Sequence, residues 1–132
     1  MGGSLRRHCD IHGPHAAAQA RQEVHRLTQE ALRAGDRVSR SAEDDALIVV
    51  SELVTNAVRH AGGTCSLDLA LRSDGIDIDV SDDSPEPPRP RQPALLGEGG
   101  YGWGIVARLT RDLSVRGGAH GKTIHAHIDP PR

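Results

Sequence analysis

The sequence predicts an α+β fold: a two-layer sandwich with helices on one face of a mixed, mostly antiparallel sheet. Three observations carry this expectation. Two stretches with helical hydrophobic period lie near the start of the chain. Two stretches with a period of two follow, joined by a tight turn. After a long interruption, a short helical stretch and two more strand-like segments close the sequence. Strands adjoining through hairpins, with helices grouped apart, define that layer arrangement.

The elements follow in order. Residues 1–14 are polar and glycine-rich, and read as an N-terminal arm or one short edge strand. From His15 to Ala34, the residues Ala20, Val24, Leu27 and Ala31 recur at helical steps, and Gly35 is a natural stop. A second helix starts near Ser41, with Asp44 three residues on in a near capping box. Its run Ala46–Val50, Leu53, Val54, Ala57, Val58 is apolar over more than one face, so this helix is central. Gly62-Gly63 ends it. Cys65, Leu67, Leu69 and Leu71 then alternate with polar neighbours. Ser73-Asp74-Gly75 turns the chain, and Ile76, Ile78 and Val80 alternate again, which makes a β-hairpin with one buried face. Residues 83–99 break all periodicity and hold Pro85, Pro87, Pro88, Pro90 and Pro93, most of the chain's 8 prolines. A loop of this length in a compact domain is commonly functional. Ile105, Val106 and Leu109 mark a short helix. Leu113–Arg116 reads as a strand, Gly117–Gly121 as a turn, and Thr123–Ile128 as a final alternating strand.

Composition narrows the function. The chain has 132 residues and a formal net charge of −2, which fits one domain over 15–132 behind the arm. It has one Trp, one Tyr and no Phe, so the core is aliphatic and stacking platforms for single-stranded nucleic acid are missing. All but one of the 16 basic residues are arginine, and they are scattered, with no stripe suited to a phosphate backbone. Direct nucleic-acid binding is therefore not expected. Two cysteines make no disulfide framework. There is no apolar run long enough for a membrane span and no apolar leader, so a cytoplasmic protein without membrane contact is the expectation.

Two glycine motifs are decoys. Gly97 to Gly102 fits G-x-G-x-x-G, but the dinucleotide version must follow a strand, and here a proline-rich loop precedes it. Gly121-Lys122-Thr123 looks like the end of a phosphate loop, yet Arg116 stands where its first glycine belongs. What survives is a cluster of Gly97, Gly99, Gly100, Gly102 and Gly104 just before a helix, where bare amides cradle anions. Glu52 and Asn56 lie four apart on the central helix and share a face, and His60 extends that row by a turn. The carboxylate suits a general base, and the carboxamide oxygen suits Mg²⁺ alongside phosphates. Asp82 ends the second hairpin strand, where its carboxylate is able to accept from a base amine or to cap a turn. Cys9, His12 and His15 offer a competing zinc reading. His125 and His127 share one strand face.

Together the segments ELVTNAVRHA, VSDDSP, GGYGWGIVARL and GKTIHAHI, in this order, resemble the boxes of the Bergerat-type, histidine-kinase-like ATP-binding fold of gyrase and histidine kinases. The resemblance is nearest to the short actinobacterial anti-sigma-factor serine/threonine kinases and covers roughly residues 15–128. It implies that Asn56 holds Mg²⁺ bridging the ATP phosphates and that Glu52 is the general base for a serine or threonine hydroxyl. It implies further that Asp82 accepts from the adenine amine, with Thr123 under the adenine near Asp82. Gly100 and Gly102 would line the phosphates, His60 joins the nucleotide-binding set, and 83–99 is the lid. Two departures stand out. Asp82-x-Ser84-x-Glu86 replaces the common Asp-x-Gly-x-Gly, and Tyr101 replaces a frequent arginine.

The implied function is an Mg²⁺/ATP-dependent kinase that phosphorylates a STAS-type anti-anti-sigma protein and binds a sigma factor. A homodimer, through the helix at 15–34 or a sheet edge, is the further expectation. The alternative is a catalytically weak or inactive ATP-binding or partner-binding module of the same fold. At this length the chain reads as the bare ATP module.

Overall fold

The structure is a computed structural model that describes residues 5–60, 62–84 and 102–130. Along the chain come β1 (Leu5–His12), α1 (Ala16–Arg33), α2 (Arg40–His60), β2 (Thr64–Arg72), β3 (Gly75–Asp82), α3 (Gly102–Leu109), β4 (Arg111–Gly118) and β5 (Gly121–Ile128). The strands form one sheet in the order β1-β2-β3-β5-β4. The fold is thus α+β, an open five-stranded sheet with helices packed on one face.

The mixed sheet expected from sequence is antiparallel at every neighbouring pair. Topology explains the difference. The crossover through α3 leaves β3 and β4 running the same way, but β5 folds back from β4 as a hairpin and inserts between them. No parallel neighbours result among the described strands. Within the expected N-terminal arm, Leu5–His12 form an edge strand, paired with β2 from Leu5↔Leu71 to His12↔Thr64.

Local chemistry sets the helix ends. After α1, Gly35 adopts φ +85°, the Gly35 amide donates to Leu32 O and the Asp36 amide to Ala31 O. These two bonds are the Schellman closure that a left-handed glycine permits. At the start of α2 the cap is Ser39 rather than Ser41, because Ser39 Oγ accepts from the Ala42 amide at 3.0 Å. Glu43 in the first turn crosses to α1, where its Oε2 accepts from Thr28 Oγ1 and lies within hydrogen-bond reach of His25 Nδ1.

The core is aliphatic, as the composition requires. Ala20, Val24 and Leu27 of α1 meet Val49, Val50, Leu53 and Val54 of α2 over Leu67, Ile76, Ile78, Val80, Ile124 and Ile128 of the sheet, all nearly inaccessible. Each such Leu, Ile or Val side chain contributes about 1.5–3 kcal/mol of transfer free energy. Among charged residues, Glu23 of α1 is buried and accepts from Arg7 of β1 at 3.2 Å and from Arg26 at 3.1 Å. That pair fastens the edge strand to the first helix.

Candidate functional site

One end of the sheet gathers the chemistry. α2 joins β2 through only three residues, and the Gly63 amide donates back to Val58 O at 3.1 Å. The C-terminal turns of α2 therefore lie at the Thr64 end of the sheet. The pairs Ser66↔Ser81 and Asp82↔Lys122 bring the end of β3 and the start of β5 to that same end. α3 packs on α2 and delivers the chain to Arg111, which pairs with His127 at the far end. Gly102 is thus the end of α3 remote from that far edge.

On α2, Glu52 and Asn56 are half-buried and one turn apart, beside the buried Leu53, Val54 and Ala57. His60 closes the helix, and its side chain lies outside the described residues. Gly100 and residues 85–99 of the expected lid lie outside them as well.

Asp82 faces the helix layer in register with Val80, Ile78 and Ile76, and its side chain is 1% exposed. It is already engaged. Lys122 Nζ stands 3.0 Å from Asp82 Oδ1 and 2.9 Å from Oδ2, and the lysine side chain is 3% exposed. The Ser84 amide donates to Oδ1 at 2.8 Å. Nζ also donates to Ser84 O at 3.4 Å. Oδ2 is buried and, despite the nearby ammonium, has no directed hydrogen bond.

Thr123 requires a correction. A side chain one residue along a strand points to the other face. Thr123 pairs with Ser81, whose Oγ is 2.7 Å from Thr123 Oγ1, on the face away from the helices. Asp82 and Thr123 therefore sit on opposite sides of the sheet, and Lys122 is what faces Asp82. The signal was present in the sequence: stepping back by twos from Ile128, Ala126 and Ile124 reaches Lys122.

The zinc reading also fails on strand geometry. Cys9 lies on the core side of β1 opposite Leu67, whereas His12 is exposed at the strand end, an odd step away. Among the described residues no group of three or more His, Cys, Asp or Glu is arranged for a metal. The Cys65 thiol is pushed up to about 11, chiefly by burial and next by the Asp82 charge.

The face away from the helices carries a histidine–aspartate ladder. Asp68 and Asp79 stand opposite one another on β2 and β3. His8 Nδ1 lies 2.7 Å from Asp68, His125 Nδ1 2.8 Å from Asp79, and His127 Nδ1 2.7 Å from Asp77. The hydrogen bond and charge of Asp68 raise His8 above the usual imidazole range. For His127, burial opposes the charge but is outweighed by Asp77 and the Asp74 carbonyl, so its value is raised too.

Among the described residues, cavities lie both beside these groups and away from them. One of about 330 Å³ lies at the Asp82 end, against Ile11, Thr64, Cys65, Ser66, Asp82 and Asp83. A second of about 530 Å³ lies on the ladder face. The third, about 550 Å³ and apolar, sits at the opposite end of the sheet beside Leu32, Val38, Leu71 and Ile76, away from Glu52, Asn56 and Asp82. No helix among the described residues is long and apolar enough to cross a membrane.

Comparison with known proteins locates this geometry. The family model described as histidine kinase-like ATPase domain matches residues 14–128. Among solved structures, the RsbU and RsbW domains of Rv1364c from Mycobacterium tuberculosis superpose with a TM-score of 0.70 at 21% identity, over 97% of this chain and 33% of that one. The chain thus spans about a third of the length of that protein's solved chain, and the likeness is one of fold. No curated protein sequence matches the chain significantly.

Proposed function

The chain belongs to the histidine kinase-like ATPase domain family, and on that premise we propose that it binds Mg²⁺-ATP and transfers phosphate to a serine or threonine of a STAS-type anti-anti-sigma protein, while also binding a sigma factor. The observation that carries the reading is convergence. The C-terminal turns of α2 with Glu52 and Asn56, and the end of β3 with Asp82, come to one end of the sheet, with α3 packed beside them.

In this reading Asp82 accepts from the exocyclic amine of the base. Gly100 and Gly102 offer backbone N–H groups to the phosphates at the helix start. The donor set fits Mg²⁺, since Asn56 gives a neutral oxygen and this cation takes most other ligands from phosphates and water. When bound, it supplies charge neutralisation across the phosphates. His60 continues the same helix row toward them. The Glu52 carboxylate accepts the proton of the attacking hydroxyl, and its half-buried position leaves it reachable by a protein substrate. Phosphoryl transfer needs this positioning and charge compensation more than covalent chemistry. Thr123 drops out of the set. A homodimer through α1 or a sheet edge remains part of the proposal.

The Asp82–Lys122 pair favours a second reading, a module of the same fold that holds its partner without transferring phosphate. One experiment separates the two. The chain is titrated calorimetrically with ATP, with and without Mg²⁺, and then incubated with a STAS-type protein and labelled ATP. Kinase function predicts Mg²⁺-dependent binding weakened in Asp82→Asn and a phosphorylation rate lowered by about 10²-fold or more in Glu52→Ala. An unchanged rate in Glu52→Ala would refute the assigned base, and no transfer at all leaves the binding module.

A further inference from the structure

The ammonium of Lys122 lies 3.0 and 2.9 Å from the two oxygens of Asp82, so it stands across the front of the carboxylate. It offers Asp82 the kind of N–H donation that a base amine would bring. Both side chains are almost wholly shut off from solvent. Asp82 Oδ2 has no directed hydrogen bond among the described residues. The ammonium therefore meets Oδ2 as an ion pair without a directed bond, and the end of β3 holds a buried acceptor with an internal cation set across both its oxygens. Lys122 also reaches Ser84 O, so the same ammonium ties down the first residues after β3.

We propose that Lys122 is an internal occupant of the base subsite, closing it until nucleotide displaces the ammonium. This rests on Asp82 being the base acceptor. The physical basis is competition, since an incoming amine and the ammonium want the same face of one carboxylate. Separating a buried, hydrogen-bonded charge pair is unfavourable, so the closed arrangement dominates in the free protein. The apparent nucleotide affinity is then reduced by the fraction of molecules that are open. The lysine has a long, flexible stem and compact head, suited to leaving one anion for another or for water.

Lys122 is the only lysine in the chain, so amine acylation followed by peptide mapping reads its accessibility in the unaltered protein, with the N-terminal amine as reference. Slow acylation in the free protein is expected, accelerated about tenfold or more under saturating Mg²⁺-ATP. Binding seen by calorimetry without such acceleration overturns the proposal. In parallel, ATP is titrated into Lys122→Thr and Lys122→Met. A closed fraction of about nine-tenths or more predicts that these bind at least about tenfold tighter than the parent. Equal or weaker binding by folded variants, with the parent still binding, overturns the occupant role and leaves the nucleotide reading standing. Absence of binding by the parent and by both variants at millimolar ATP overturns both. If the variants fail to fold, the acylation arm decides alone.

Discussion

Replacing Gly121 by alanine measures how closely β3 and β5 meet at the end where Asp82 and Lys122 pair. Gly121 adopts φ +151°, and a Cβ built there overlaps the Asp82 carbonyl oxygen and lies 3.2 Å from Asp83 Cα. Both are backbone atoms, so no side chain can swing aside. Two costs add. The left-handed conformation itself costs an L-residue roughly 1–2 kcal/mol. Relief of the overlap requires the strands to part locally, at the expense of one or two ladder hydrogen bonds worth about 1 kcal/mol each. The sum is about 3 kcal/mol. For a chain of this size that is a fall in melting temperature of roughly 10–15 °C. Gly35→Ala is the control: φ is +85° and nothing lies within 4 Å of the added carbon, so only the conformational cost applies. Urea unfolding of both variants, followed by circular dichroism, gives the two free energies. If Gly121→Ala costs no more than Gly35→Ala, the close backbone approach is not a constraint and the reasoning is wrong.

Two further outcomes are expected. His8 and His127 both titrate above the ordinary value of 6.5 in the folded protein. A raised folded value means that their stabilisation is complete below about pH 6.5 and is lost as pH rises through the folded values; the contribution of these two histidines to the urea midpoint should therefore be larger at pH 6 than at pH 8, and Asp77→Asn should shrink the His127 part of that difference. Glu23→Ala removes the buried carboxylate between Arg7 and Arg26; because both arginines keep partial access to water, the loss is about 2–3 kcal/mol, below that of a fully buried pair, and a loss under about 0.5 kcal/mol in urea unfolding would contradict the fastening of β1 to α1.

Where hydrophobic residues repeat cleanly, the sequence sufficed. The stripe Ala20, Val24, Leu27, Ala31, the run through Val54 and Ala57, and the alternation of Leu67, Leu69, Ile76 and Ile78 all return as α1, α2 and the β2–β3 hairpin. That Asp82 faces the helix layer at the end of β3 follows from its step of two beyond Val80. β1 was obscured because its inward row is Leu5, Arg7, Cys9, Ile11, and an arginine on the core side hides the alternation until its glutamate partner is known. β4 shows only weak alternation because most of its residues are exposed. The α2 cap was displaced by two residues since Ser39 and Ser41 are chemically alike, and only the bond to the Ala42 amide distinguishes them. Pairings such as Asp68 with His8 or Asp79 with His125 depend on register between strands distant in sequence, which no single-strand pattern encodes.

The strand order also dictates a sequence of events. The β2–β3 hairpin closes through a tight turn at Ser73-Asp74 and can form early from neighbouring residues. β1 finds its partner only across the whole of α1 and α2, and β5 joins β3 only after the crossover has been completed. Contacts separated so widely along the chain slow folding, because loop closure precedes the reward of pairing. The two halves of the Asp82–Lys122 pair arrive on opposite sides of that slow step. During synthesis the hairpin emerges with Asp82 still without its lysine, and Lys122 reaches it only after the crossover, α3 and β4 have been made.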